Sequence, residues 1–399
     1  MLIQMQPPAP KGSPASPRGA LWRLGFRPFY LLAAVFAALA VPLWVVLYSG
    51  AARPPIGLDP LLWHMHEMVY GFALAVVTGF LFTAVRNWTN LPTPTGARLA
   101  ALAALWLAAR AAWLLALPAV AIVIEVVFLV LVAAALLTVL VRARNRRNYF
   151  VAVLFGVLAL ADMAFFAALR GVITAFGPDL PLRLALYLIV TLTLVMGGRV
   201  IPSFTASAVR GVKQFRDVRL DRIALAAAVL AFALELAGAP ALPLAVVALA
   251  AGVLTAVRVA GWNPRATYGR PLLWILHAGY AWIAVGFLLM AASAAGLVAR
   301  PLAMHAFGLG GVGGLIIGMI TRTALGHTGR PLAVGAAERA MYLLVQGAAL
   351  VRVLGPIVLP AFSMVWVQAS ATLWCVAFIT YAVVYWPRLS APRVDGQPG

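Results

Sequence analysis

The chain has 399 residues, of which 64% are hydrophobic and only 10% charged, with a mean hydropathy of +1.00. This composition excludes an ordinary soluble domain, and the recurrence of apolar runs about 20 residues long makes the fold class all-α, a polytopic membrane protein. The net charge of +20 does not point to nucleic acid, because the basic residues sit in short groups between apolar runs, where they act as topology signals.

Residues 1–27 read as a disordered, Pro-rich cytoplasmic tail and juxtamembrane segment, with five prolines between Pro7 and Pro17 and no apolar centre of a signal peptide. A twelve-helix transmembrane domain is expected over 28–386. Its spans are placed at 28–50, 60–85, 98–117, 118–141, 149–170, 181–209, 220–239, 241–260, 271–297, 301–325, 338–358 and 362–386, followed by a short cytoplasmic tail over 387–399. Of the 30 basic residues, Arg110 and Arg199 lie inside spans, and Arg53, Arg170, Arg183, Arg300 and Arg352 fall on one side. The remaining 23 fall on the other, so an even number of spans with both termini cytoplasmic is expected. The single cysteine, Cys375, lies in an apolar run and reads as a small buried hydrophobe.

The five histidines fall at or near span ends. His64 and His66, in "WHMHEMVYGF", stand near the outer end of the second span, and His305 stands near the outer end of the tenth. His277 belongs to the inner part of the ninth span, and His327 lies just past the inner end of the tenth. His305 and His327 would be roughly 33 Å apart along one helix, too far to share a metal ion. Ionisable side chains are costly in a bilayer unless paired or functional, and neutral imidazole is the commonest biological metal ligand. These positions therefore point to haem or metal binding.

On a helix, residues two apart project about 200° apart, so His64 and His66 serve two centres, or one centre and one hydrogen bond. His64 and Met68 share a face, an imidazole and thioether pair suited to copper. His66 and His305 are expected to reach across two helices to one haem near the outer face. Gly308, Gly311, Gly314 and Gly318 form a stripe at helical spacing that either lets helices approach closely or leaves a flat slot for a porphyrin. Arg199 and Arg322 are candidates to pair haem propionates, and Glu67 to orient a ligand or accept a proton. Arg110, Glu125, Asp162 and Glu235 are further charges within apolar segments, fit for internal ion pairs or a proton path.

A weak repeat relates the second span to the tenth at an offset of 239, matching Met65 with Met304, His66 with His305, Gly79 with Gly318 and Thr89 with Thr328. The sixth joins with Arg199 opposite Arg322. Three four-helix units of this kind would resemble the haem-copper oxidase core.

The stretches "LGFRPFYLLAA", "WHMHEMVYGFALAVVTGFLFTAVRNWTNLPTPTG", "GGRVIPSFT" and "HAFGLGGVGGLIIGMITRTALGHTGRPL" resemble the NnrS family from about Leu24 to Pro331. That resemblance implies a bacterial inner-membrane protein holding haem, of b-type, and copper, associated with the response to nitric oxide and with nitrosative stress or denitrification. It carries over to His64, His66, Glu67, Arg199, His305, Arg322 and His327, with nitric oxide or a related small ligand and a redox partner as implied partners. It leaves open whether the protein is an enzyme. A twelve-helix secondary transporter is the competing class, since glycine-rich, broken helices also suit that architecture. A metal-delivery or assembly factor is the third.

Overall fold

The computed structural model describes residues 17–52 and 58–397. The part of the expected disordered tail that falls on 1–16, and Arg53 of the charge count, lie outside the described residues. From Pro17 onward the juxtamembrane segment takes structure, because Pro17–Trp22 forms a 3-10 turn and helix α1 begins at Phe26.

Twelve long helices follow among the described residues. They are α1 (Phe26–Tyr48), α2 (Pro60–Thr89), α3 (Gly96–Leu114), α4 (Pro118–Arg142), α5 (Phe150–Leu169) and α6 (Asp179–Ala208), then α7 (Val218–Leu236), α8 (Ala241–Gly261), α9 (Pro271–Ala294), α10 (Arg300–His327), α11 (Ala336–Val358) and α12 (Ser363–Ser390). Each coincides with an expected span to within a few residues. Eleven are long and apolar enough to cross a membrane. The other, α7, is diluted by Arg219, Asp221, Arg222 and Glu235. The protein is an all-α polytopic membrane protein.

Local chemistry sets where the helices start and stop. Asp59 caps α2, its Oδ1 accepting from the Leu61 and Leu62 amides at 2.8 and 3.2 Å, while Pro60 takes the first helical position, where a missing N–H costs nothing. Asn90 ends the same helix in the left-handed region, φ 55°.

Most successive helices pack against each other, α2 also packs against α4, and α12 returns to α1. That seam is stitched by Trp374 Nε1 and Cys375 Sγ, which donate to the carbonyls of Ala37 and Ala38. At one end of the bundle, Arg27 at the start of α1 donates to the carbonyls of Leu389 and Ala391 at the end of α12. Both ends of the described chain therefore lie on the same side, as an even number of crossings requires.

Helices α2, α6 and α10, the three that the expected repeat would relate, supply most of the lining of two cavities, one at each end of the bundle. α2 and α10 share a further feature: each widens into a π-helical segment directly after its aligned histidine, Glu67–Ala73 in α2 and Ala306–Gly313 in α10. The two segments begin at equivalent positions of the repeat. π segments recur at functional sites because they re-aim the side chains on either side of them.

Candidate metal and haem centre

The cavity at the end of the bundle that the loop charges are expected to turn outward, here the outer cavity, is about 420 Å³ and has α1, α2, α6, α10, α11 and α12 around it. His64 and His305 face it from α2 and α10, with ring centres 6.4 Å apart and planes 17° from parallel. Two imidazoles that ligate one metal from opposite sides, at metal–nitrogen distances of about 2.0–2.1 Å, hold their ring centres roughly 6 Å apart. His305 Nδ1 donates to the Pro301 carbonyl at 2.7 Å, which leaves Nε2 as a lone-pair ligand. Trp44 stacks on His64 at 4.1 Å and fixes its ring.

The rest of the wall is mainly apolar, including Phe72, Leu186, Ile189, Val312 and Trp374. Met65, Met68 and Met304 add thioethers. Arg183, Arg300 and Arg352 also line the cavity. Arg183 is held by Glu235 and Asp179, whereas Arg352 has no hydrogen-bond or ion-pair partner among the described residues. The donor set fits an amphipathic porphyrin: two imidazoles for the iron, an apolar wall for the ring and a free guanidinium for a carboxylate. Arg352 was read from the sequence only as a topology charge.

The expected pairing of His66 with His305 does not occur. His66 points away from the outer cavity into a separate, fully buried cluster, and His64 takes its place opposite His305. The π segment and the 200° between the two side chains send them to different sides of α2. His66 Nδ1 lies 2.9 Å from Glu67 Oε1, and its Nε2 lies 3.0 Å from Asp162 Oδ1 and 3.5 Å from Glu125 Oε2. Arg110 reaches Glu67 at 3.1 Å and also contacts Glu125. Tyr70, Trp113 and Phe165 surround the imidazole. Arg110, Glu125 and Asp162 are each an isolated charge within an apolar stretch of its helix, and only the fold brings α3, α4 and α5 together around α2.

The glycine stripe has two roles. Gly308 lines the outer cavity, and a Cβ there would meet nothing closer than Leu186 Cδ1 at 3.8 Å. Gly311 and Gly314 instead lie against α9, where a Cβ would come within 2.9 Å of Ile283 Cγ1 and 3.2 Å of Gly279 Cα respectively. Gly318 likewise meets Leu276 of α9, so the expected porphyrin slot along the stripe is not formed and its lower part is a helix contact.

Arg199 and His327 line the inner cavity, about 710 Å³, together with Asn87, Arg147 and Asn148. Arg199 donates to Asn148 Oδ1 at 3.3 Å, and Arg322 sits over the Phe204 ring at 4.0 Å. Neither arginine is at the outer cavity, so neither reaches a propionate of a group held there. His277 lines neither cavity and bonds Thr205 Oγ1 at 2.9 Å.

No curated protein matched the chain in comparison. The family model described as NnrS protein matches residues 20–393, nearly the whole length, so the chain belongs to the NnrS family.

Proposed function

We propose that this protein binds haem in its outer cavity through His64 and His305 and acts in the response to nitric oxide, an association that family membership supports. The observation that carries the reading is the meeting of two imidazoles across one apolar cavity at a separation suited to a shared metal. A bound haem would supply an iron centre for one-electron chemistry, at which a diatomic ligand would compete with one of the two imidazoles. The chain's own groups hold the site in shape: Pro301 fixes the His305 tautomer, Trp44 orients His64 and Arg352 offers a cation to a propionate. Met68, beside His64 in the same wall, favours a second reading in which the cavity takes copper. Family membership supports placement in the inner membrane, and the charge bias of the loops supports an orientation with both termini cytoplasmic.

The test is the absorption spectrum of detergent-purified protein. An intense Soret band is expected, shifting on reduction and again with nitric oxide. His64→Ala and His305→Ala are each expected to abolish or greatly change it, while His66→Ala keeps it. A colourless protein that takes up neither iron nor copper on reconstitution favours the transporter class instead.

A further inference from the structure

We propose that His66, Glu125 and Asp162 form a separate site for one divalent cation, supported by Glu67 and Arg110. It is distinct from the outer cavity, does not rest on the haem reading, and draws its three ligands from α2, α4 and α5.

The tautomer of His66 carries the first step. Its Nδ1 is 2.9 Å from a Glu67 oxygen that Arg110 also contacts, so Nδ1–H donates there and the Nε2 lone pair faces the other way. This is the arrangement by which a carboxylate orients a metal-ligating histidine. The lone pair then looks at Asp162 Oδ1 at 3.0 Å and Glu125 Oε2 at 3.5 Å. Three electron-rich atoms facing one another repel unless a cation lies between them. Ligands each about 2.1 Å from a common ion, at angles of 90–110°, lie about 3.0–3.5 Å apart.

Charge leads to the same place. Glu67, Glu125 and Asp162 against Arg110 leave two negative charges in a cluster whose side chains are at most 5% exposed. A divalent ion with a neutral imidazole cancels them, and burying uncompensated charge in a membrane core is costly. A proton on Nε2 answers less of the geometry. It points at one oxygen, and Asp162 Oδ2 and Glu125 Oε2 have no hydrogen-bond donor. The donor set holds nitrogen and oxygen without sulfur, which suits Zn2+ or Mn2+ and not copper(I).

The experiment uses the full chain in detergent, stripped with a chelator and titrated with Zn2+ and, separately, Mn2+, with bound metal read by mass spectrometry. One tightly held equivalent is expected in the wild type and also in His64→Ala, whose haem spectrum is altered, so the two proposals fail separately. Asp162→Asn and Glu125→Gln should lose that equivalent while keeping the Soret band. Glu67→Gln, which touches only the positioning residue, should weaken binding by about 10–100-fold. Zinc X-ray absorption on the wild type guards against variants that do not fold. It should read a nitrogen and oxygen shell with one histidine. No retained divalent ion in the wild type, a sulfur-containing shell, or unchanged binding in folded Asp162→Asn overturns the proposal.

Discussion

Arg110 shows how much one residue decides here. It stands buried in the last turns of α3 and contacts Glu67 and Glu125, carboxylates of α2 and α4. Removing one partner of a buried ion pair leaves the other charge uncompensated, at a cost of about 3–5 kcal/mol. Arg110→Met should therefore lower the thermal stability of the detergent-purified protein severely, while Arg352→Met, whose guanidinium has no partner among the described residues, should leave stability close to wild type and alter the Soret band. Equal melting temperatures for the two variants would contradict this account of the cluster. His327→Ala tests the layering of the histidines. Its ring lies by the inner cavity beside Phe26, with ring centres 5.6 Å apart, so the spectrum of the outer centre should persist in that variant.

Among the helices, the crossing of α9 and α10 depends on glycine. A Cβ on Gly279 would come within 2.8 Å of the Leu315 amide nitrogen, a backbone atom that cannot step aside. Gly279→Ala should destabilise the protein by about 1–3 kcal/mol, the usual cost of overpacking. Gly308→Ala should leave the melting temperature nearly unchanged and instead perturb the cavity spectrum.

The segment after α12 is another element with a readable test. Its Val394 amide donates to Thr328 O at 3.1 Å, and Arg393 Nη1 donates to the His327 carbonyl at 3.2 Å while the same guanidinium is held by Asp395 two residues on. The Arg393 guanidinium, hydrogen-bonded to the Asp395 carboxylate, holds its pKa down at about 2, below an unfolded value of about 3.9. A depressed carboxyl pKa stabilises the docked state above the unfolded value and loses that contribution as pH falls through the folded one. A spin label at Gln397→Cys, in a Cys375→Ala background, should be restrained at pH 5 and loosen as pH falls from 4 towards 2. In Arg393→Gln it should be loose already at neutral pH. A label equally restrained in both would refute the docking role.

At the scale of the molecule, twelve crossings depend on α7, the helix that hydropathy supports least. It keeps its place because its charges are answered: Asp221 accepts from Arg258 Nε of α8 at 2.7 Å, and Glu235 accepts from Arg183 of α6 at 2.5 Å. With Cys375→Ala as background, an impermeant thiol reagent added outside should label Ala237→Cys and spare Arg216→Cys. Labelling of both from one side would remove α7 from the crossings and invert every helix after it. Helices α2, α6 and α10 line both cavities, and the π segments of α2 and α10 begin directly after His66 and His305.

The twelve helices and the shared depth of His64 and His305 were legible in the sequence, because hydropathy, breaks and charge bias are local properties that a bilayer enforces directly. The same logic marked Arg110, Glu125 and Asp162 as anomalies, each too costly to leave alone in lipid. What the sequence could not decide was partnership. Whether His64 or His66 faces His305 depends on the rotation of α2, which the π segment sets, and whether a glycine stripe receives a ligand or a helix depends on which neighbour arrives there. Those outcomes follow from packing between segments far apart in the chain. Helical period alone carries no information about which of its faces a distant helix will cover.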